Sequence, residues 1–335
     1  MIVDILERCK AACRKDPGTV VFPDCLDGRV LEAAARLKRE GLAEPVLVQS
    51  PFAVRSRMRE LGIRSTGFTV VDHTSPALLE KNAEGFAAIR KEKGKSVSAD
   101  KALKTMHCPL AASAMMLRRG EAQVGVAGNL SSTGDVLRAG LSIIPRKPGL
   151  KTISSFFLMI SPDNEKQYVF ADCAVVPEPN EETLADIAIA SAEKSRSLLG
   201  REPRVAMLSF STKGSGAHPR AELVRRAMEL VRTRAPELLV DGEIQFDAAT
   251  APSVSALKSP GSVIEGQANV LIFPSLEAGN IAYKMVQRLG GYTAMGPFLQ
   301  GFDGGWHDLS RGCSAEDIYK VAVVGMCLER GSLLN

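Results

Sequence analysis

Thr19-Val-Val-Phe22, Asp27-Gly-Arg-Val-Leu-Glu-Ala-Ala-Ala-Arg-Leu-Lys38 and Pro45-Val-Leu-Val-Gln49 follow one another near the start of the chain. The first and third runs are short and apolar, as buried strands are. The middle run has helical spacing, and Gly41 closes it. Strand, helix, strand is a βαβ unit, which predicts a parallel sheet.

The rhythm extends outward from there. Phe52 to Leu61 reads as a helix stopped by Gly62, and Thr69-Val-Val-Asp72 as a strand. Two or three helices fill Leu78 to Arg119; then come a strand at Ala122–Ala127 and a helix at Thr133–Ile144. Pro145-Arg-Lys-Pro-Gly149 breaks the pattern, so a second domain is expected from near residue 148. Ser154–Ile160 and Gln167–Asp172 read as adjacent strands joined by a turn at Pro162-Asp-Asn-Glu165. Alternation then resumes: helix Glu181–Leu199, strand Val205–Phe210, helix Pro219–Arg234, strands Leu238–Asp241 and Ala268–Phe273, helix Gly279–Leu289. The final helix is read at Ser314–Arg330.

Composition excludes several classes. The 335 residues are 45% hydrophobic and 24% charged, as in a soluble globular protein of two domains or one large one. A net charge of +4, with no Lys/Arg block among aromatics, does not point to nucleic acid; it suits a small anionic substrate. No apolar run has membrane-spanning length. Met1 to Arg14 is amphipathic and lacks a signal peptide's apolar region. It reads as a core helix, with an interaction or packaging helix as the alternative. The seven cysteines are irregularly spaced and fit reduced cytosolic thiols. Cys9 and Cys13 lack a partner pair for zinc, and His73, His107, His218 and His307 show no ligand spacing, so no metal is expected.

Chemistry concentrates in His307-Asp-Leu-Ser-Arg-Gly-Cys-Ser-Ala-Glu-Asp317. Gly301 to Trp306 ahead of it reads as a loop, and Ile318 to Val324 after it as helix. Backbone N–H groups at such a junction favour anions, and an arginine there suits phosphate. Ser314 and Asp317 also form a capping-box pattern, and Asp308 with Arg311 reads equally as a surface ion pair. Cys313, beside Arg311 at a helix start, reads either as a stabilised thiolate that could carry an acyl group or as a packed thiol.

Gly128-Asn-Leu-Ser-Ser-Thr133 is a second strand-to-helix junction. Asn129, Ser131, Ser132 and Thr133 are candidate phosphate contacts, or simply an N-cap cluster, and Arg138 follows one turn on. Ser211-Thr-Lys-Gly-Ser-Gly216 lacks the order of a phosphate-binding P-loop, and no dinucleotide glycine fingerprint follows a strand. Tyr283 and Lys284 follow Pro274–Asn280, and Lys284 with Arg288 makes one helix face basic. Arg90 to Gly94 reads as a solvated, charged helix end.

Together these stretches resemble the phosphate acetyltransferase (phosphotransacetylase) family nearly end to end. The matching strings are Val20-Val-Phe-Pro-Asp24, Ala127-Gly-Asn-Leu-Ser-Ser-Thr133, Lys151-Thr-Ile-Ser-Ser-Phe-Phe-Leu-Met159, Phe170-Ala-Asp172 and Val205-Ala-Met-Leu-Ser209. They continue with Asp241-Gly-Glu-Ile-Gln245, Asn280-Ile-Ala-Tyr-Lys284 and Asp308-Leu-Ser-Arg-Gly-Cys313. Gly128-Asn-Leu-Ser-Ser-Thr133 and Ser275-Leu-Glu277 lean toward the short ethanolamine-utilisation type.

The resemblance implies α/β architecture: two three-layer α/β domains with an interdomain cleft, like isocitrate and isopropylmalate dehydrogenases. Residues 1–147 and 300–335 would form one domain and 148–299 the inserted other. It implies acetyl transfer between CoA and phosphate, with acetyl phosphate as the other substrate, no cofactor, and a homodimer. The location implied is cytoplasmic, with a microcompartment and its shell or cargo contacts as the alternative. By position, Asp317 matches the base for the CoA thiol, Ser310 the hydroxyl at the tetrahedral centre, and Arg311 the phosphate or carbonyl binder. Arg90, Arg138 and Arg288 match arginines that contact CoA or phosphate. Asn164 stands where some members carry cysteine, so no thiol role carries over there. The other readings weighed are butyryl transfer, a non-catalytic acyl-CoA sensor, and a dehydrogenase, which lacks its metal carboxylates here.

Overall fold

A computed structural model describes residues 4–64 and 67–331. Leu6–Lys147 and Phe302–Gly331 form one compact unit, and Pro148–Gly301 is the body of another.

The first unit begins with α1 (Ile5–Lys15), β1 (Gly18–Phe22), α2 (Gly28–Arg39), β2 (Ala43–Val48), α3 (Pro51–Glu60) and β3 (Thr69–Val71). Three helices follow, α4 (Pro76–Glu92), α5 (Ala99–Met106) and α6 (Pro109–Arg118), and then β4 (Val124–Ala127) and α7 (Thr133–Ile143).

The second unit holds β5 (Ser154–Ile160), β6 (Gln167–Ala171), α8 (Glu181–Leu199), β7 (Arg204–Leu208), α9 (Pro219–Arg234) and β8 (Leu239–Ile244). It continues through α10 (Phe246–Thr250), α11 (Pro252–Lys258), β9 (Val270–Ile272), α12 (Leu276–Leu289) and β10 (Thr293–Gln300). The chain then re-enters the first unit as β11 (Gly305–Asp308) and α13 (Ala315–Glu329).

The first unit's sheet runs β11-β4-β1-β2-β3, parallel throughout. The second runs β10-β5-β6-β9-β7-β8 and is mixed: β10, β5 and β6 pair antiparallel, and the rest pair parallel. All four residues of β4 and all seven of β5 are buried. Continuous burial means cover on both sheet faces, which explains why these strands are apolar runs rather than alternating ones.

Several expectations need correction. The end of the stretch read as a loop, Gly305 and Trp306, opens β11, whose four residues are buried and lie parallel to β4. Gly304 and the leading Gly305 signal a turn locally, and pairing with β4 overrides that signal. Trp306 is fully buried there and donates its indole N–H to the carbonyl of Val136 at 3.0 Å. The chain also holds β10, α10 and α11, which were not anticipated. Gly296 and Pro297 mask β10; an edge strand tolerates them, and its pairing with β5 shifts register there. β8 runs on to Ile244, past the Asp241 expected to end it.

Helix α1 is core. Ile5, Cys9 and Cys13 are buried, and the Arg330 guanidinium donates to Ala12 O at 2.8 Å. The packaging-helix alternative loses its free apolar face, although residues 1–3 lie outside the described ones. Asn164, in the turn before β6, has φ of 61°, a conformation that asparagine adopts more readily than most residues.

Candidate active site

Parallel strands end on one side of their sheet, and ligands of open α/β sheets bind beyond those carboxyl ends. Here β1, β4 and β11 are neighbours, and the loops 23–27, 128–132 and 309–314 lead from them into α2, α7 and α13.

The loop after β4 is organised from within. Asp24 Oδ2 accepts the backbone N–H groups of Gly128, Leu130 and Ser131 at 3.0, 3.2 and 3.1 Å, and Oδ1 accepts the Ser131 hydroxyl at 2.6 Å. Asn129 donates its amide to Asp27 at 3.1 Å. Ser132 caps α7 by accepting from Asp135 N–H. Three of the amides at this junction, those of Gly128, Leu130 and Ser131, are therefore already filled by a carboxylate of this chain. Thr133 is exposed and lies beside the Asp308 carboxyl.

In the loop after β11, Leu309 N–H donates to Ala127 O at 2.7 Å, and Cys313 N–H to Ser310 O at 2.9 Å. Gly312 N–H donates to Ser310 Oγ at 3.2 Å, which occupies the oxygen and leaves the hydroxyl hydrogen to be given elsewhere. The Arg311 side chain is exposed and pairs with no carboxylate among the described residues. The capping box is present in full: Asp317 Oδ2 accepts Ser314 N–H at 2.9 Å and its hydroxyl at 2.8 Å, while Ser314 Oγ accepts Asp317 N–H at 3.1 Å. Both bonds fall on Oδ2, and Oδ1 has no hydrogen-bond donor among the described residues.

Asp308 is not the surface partner of Arg311. It ends a buried strand and is 4% exposed. Burial pushes its carboxyl up to about 6, the charge of Asp24 adds to this, and Thr133's hydroxyl opposes it. Its Oδ1 has no partner among the described residues. It packs against Gly128, whose φ is +92°, and a Cβ at that position would collide with Asp308 and the Leu309 backbone. Only glycine fits.

Cys313 is buried, and burial pushes its thiol up to about 11 despite the nearby charge of Arg29. Asp317 and Asp27 push it further in the same direction. The stabilised-thiolate reading fails, and the packed-thiol reading holds.

Arg90 is half-buried in the last turn of α4. Lys93, near it, is held below the usual lysine range by burial and then by Arg118, Arg146, Arg90 and Lys95, which together form a concentrated positive cluster. Lys93 also donates to Leu141 O and Ser142 O at 3.1 and 3.3 Å, so this helix end is more than a solvated face. Arg138 is exposed and pairs with Asp135 at 2.5 Å, a contact of small energetic value.

In the other unit, Tyr283 stacks on Phe157 with ring centroids 4.1 Å apart. Lys284 bonds to Asn280 Oδ1 at 2.8 Å, and Arg288 is exposed. Among the described residues no group of His, Cys, Asp and Glu could hold a metal ion, and no helix is long and apolar enough to cross a membrane.

Sequence reasoning passed over Asp24, Asp27 and Arg29 as site residues, although Asp24 closes one of the matching strings. Arg29, in the first turn of α2, reaches backbone carbonyls in both other loops. The signal was available as charged residues just beyond a buried strand, at its carboxyl end.

Residues 4–326 match the family model described as phosphate acetyl/butaryl transferase. The phosphate acetyltransferase of Clostridium acetobutylicum is 41% identical, over 96% of this chain and 97% of that protein. That of Bacillus subtilis is 43% identical, over 91% and 93%. Among solved structures, a phosphotransacetylase from Streptococcus pyogenes superposes with a TM-score of 0.92 at 40% identity, covering 98% of each chain. The EutD phosphotransacetylase from Staphylococcus aureus gives 0.89 at 38%, covering 97% and 98%.

Proposed function

Since the chain belongs to the phosphate acetyl/butaryl transferase family and is a phosphate acetyltransferase, we propose that it joins acetyl phosphate and CoA by direct attack of the CoA sulfur in a ternary complex. The sulfur bonds to the acetyl carbon, the thiol proton passes to Asp317 Oδ1, and the carbon–oxygen bond to phosphate breaks with its electron pair leaving on phosphate. A carboxylate is a weak base toward a thiol, since the two groups ordinarily titrate near pH ~4 and ~8.5, so proton transfer accompanies C–S bond formation. The hydroxyl hydrogen of Ser310 meets the developing oxyanion, and the planar fork of Arg311 meets phosphate or the carbonyl oxygen.

One observation carries this reading. The turn and the first turn of α13 present, among the described residues, an arginine without a carboxylate partner, a hydroxyl that accepts one N–H and donates to none, and a carboxylate with one oxygen open. The covalent alternative needs a thiolate at Cys313, and burial opposes it.

Arg90, Arg138, Lys284 and Arg288 are assigned to the phosphate groups of CoA or to free phosphate, supported for Arg90 by the surrounding positive cluster. Thr133 is assigned to substrate contact, and Tyr283 to supporting Lys284, whose ammonium lies 5.7 Å from its ring centroid. Asn129, Ser131 and Ser132 shape their loop rather than contact phosphate. Likeness to the EutD enzyme supports a role in ethanolamine utilisation, in the cytoplasm or a microcompartment. A homodimer is supported by Ile281, Met285 and Leu289, exposed apolar residues at helical spacing on α12.

Initial-rate kinetics with both substrates varied test the route. Intersecting lines are expected for a ternary complex, and parallel lines would overturn it.

A further inference from the structure

We infer that Arg29 is a positioning residue for the reaction: its guanidinium braces the Ser310–Ser314 turn from behind and sets where Ser310 and Arg311 stand. The inference rests on the roles proposed for those two residues.

Every donor of this guanidinium is committed inside the chain. Nε–H donates to both oxygens of Asp27, each at 3.1 Å. Nη2 donates to Asp27 Oδ2 at 2.6 Å and to Asn129 O at 3.2 Å. Nη1 donates to Arg311 O at 2.9 Å and to Cys313 O at 2.5 Å. Arginine has five N–H donors in a fixed plane, and all five are used. None is left for a substrate phosphate, so Arg29 is a brace and not an anion binder.

The geometry explains why arginine is needed. Nη1 grips the two carbonyls on either side of Gly312, the most permissive residue of the turn. Nη2 reaches the loop after β4, so one planar group ties the ends of β1, β4 and β11 together. Asp27 is the N-cap of α2, accepting from Arg29 N–H at 2.9 Å, and it anchors the brace to a helix. A lysine has the charge but lacks the planar fork and cannot span two carbonyls and a carboxylate at once.

The test uses Arg29→Met and Arg29→Lys in the full chain with two readouts. The first is the rate at which N-ethylmaleimide labels each cysteine, mapped by peptide mass spectrometry. Only Cys108 is exposed; the other six, Cys313 among them, are buried. Loss of the brace should raise Cys313 labelling by at least about tenfold while the remaining buried thiols stay protected, because only the turn opens. The second is steady-state kinetics. Misplaced groups should lower kcat by about 10- to 100-fold, with KM for acetyl phosphate within about threefold of wild type.

Unchanged Cys313 labelling would overturn the inference, as would a raised KM for acetyl phosphate at unchanged kcat, which would make Arg29 a phosphate binder. If Arg29→Met exposes all the thiols, Arg29→Lys, which keeps the charge and most of the stem, is read by the same criteria. Ser310→Ala, measured alongside, separates the two levels. A neutral Ser310→Ala would sink the role proposed for Ser310, while the labelling result still decides the brace.

Discussion

Asp24 receives both the backbone N–H and the hydroxyl of Ser131, at 3.1 and 2.6 Å, and so satisfies two donors that would otherwise be open to an anion. The carboxylate fixes the path of the loop after β4 through two further amides. Asp24→Asn removes the charge and turns an NH2 toward donors that need an acceptor. The expected cost is about 2–4 kcal/mol in urea unfolding, against about 1 kcal/mol for Ser131→Ala, which removes one hydroxyl bond. Equal costs for the two variants would show that the loop does not depend on the carboxylate.

Asp308 makes stability depend on pH. Its folded-state value, about 6, lies above the ordinary 3.8, so between those values the folded chain holds a proton that the unfolded chain has released. Stability therefore falls as pH rises from about 4 to 6, by on the order of 2–3 kcal/mol if Asp308 acts alone. Asp308→Asn should flatten that part of the profile and be more stable than wild type, relative to pH 4, at pH 7.5. Denaturant midpoints across the range provide the comparison, and a parallel profile for the two proteins would refute it.

Arg311 bears its charge without a carboxylate partner among the described residues, so its loss should appear in catalysis and not in folding. Arg311→Gln is expected to lose on the order of 100-fold in kcat/KM for acetyl phosphate. Arg311→Lys should recover little of it, since a bidentate fork is not replaced by a point charge. Thermal midpoints should stay close to wild type. Recovery by lysine to within a few fold would show that charge alone suffices.

The apolar side of α12 offers a test of assembly. Ile281, Met285 and Leu289 are 57%, 54% and 82% exposed, a poor arrangement for a surface facing only water. Met285→Glu with Leu289→Glu should halve the mass measured by light scattering if this face joins two copies. An unchanged dimer mass would place the interface elsewhere.

The parts legible in sequence were those with local signals. The β1–α2–β2 unit declares itself through apolar runs and a helical period. The Ser314–Asp317 box is legible because four consecutive positions carry both of its partners. β11 was not legible, because its burial comes from pairing with β4, far away in sequence. Asp24 and Arg29 were missed for the same reason. Their bonds to the other loops cross a hundred positions or more, and in sequence each is one more charged residue beside a strand or helix. Asp308 shows the reverse error: a carboxylate near an arginine suggested a surface pair until the strand was seen to bury it.

The most direct test of acetyl transfer through Asp317 is thioester formation from acetyl phosphate and CoA, followed by ultraviolet absorbance, in wild type, Asp317→Asn and Cys313→Ala. Direct attack assisted by a carboxylate predicts turnover in wild type and in Cys313→Ala within a few fold of each other, with Asp317→Asn reduced by about 100-fold or more. An inactive Cys313→Ala beside an active Asp317→Asn would contradict it and move the reaction onto an acetylated cysteine.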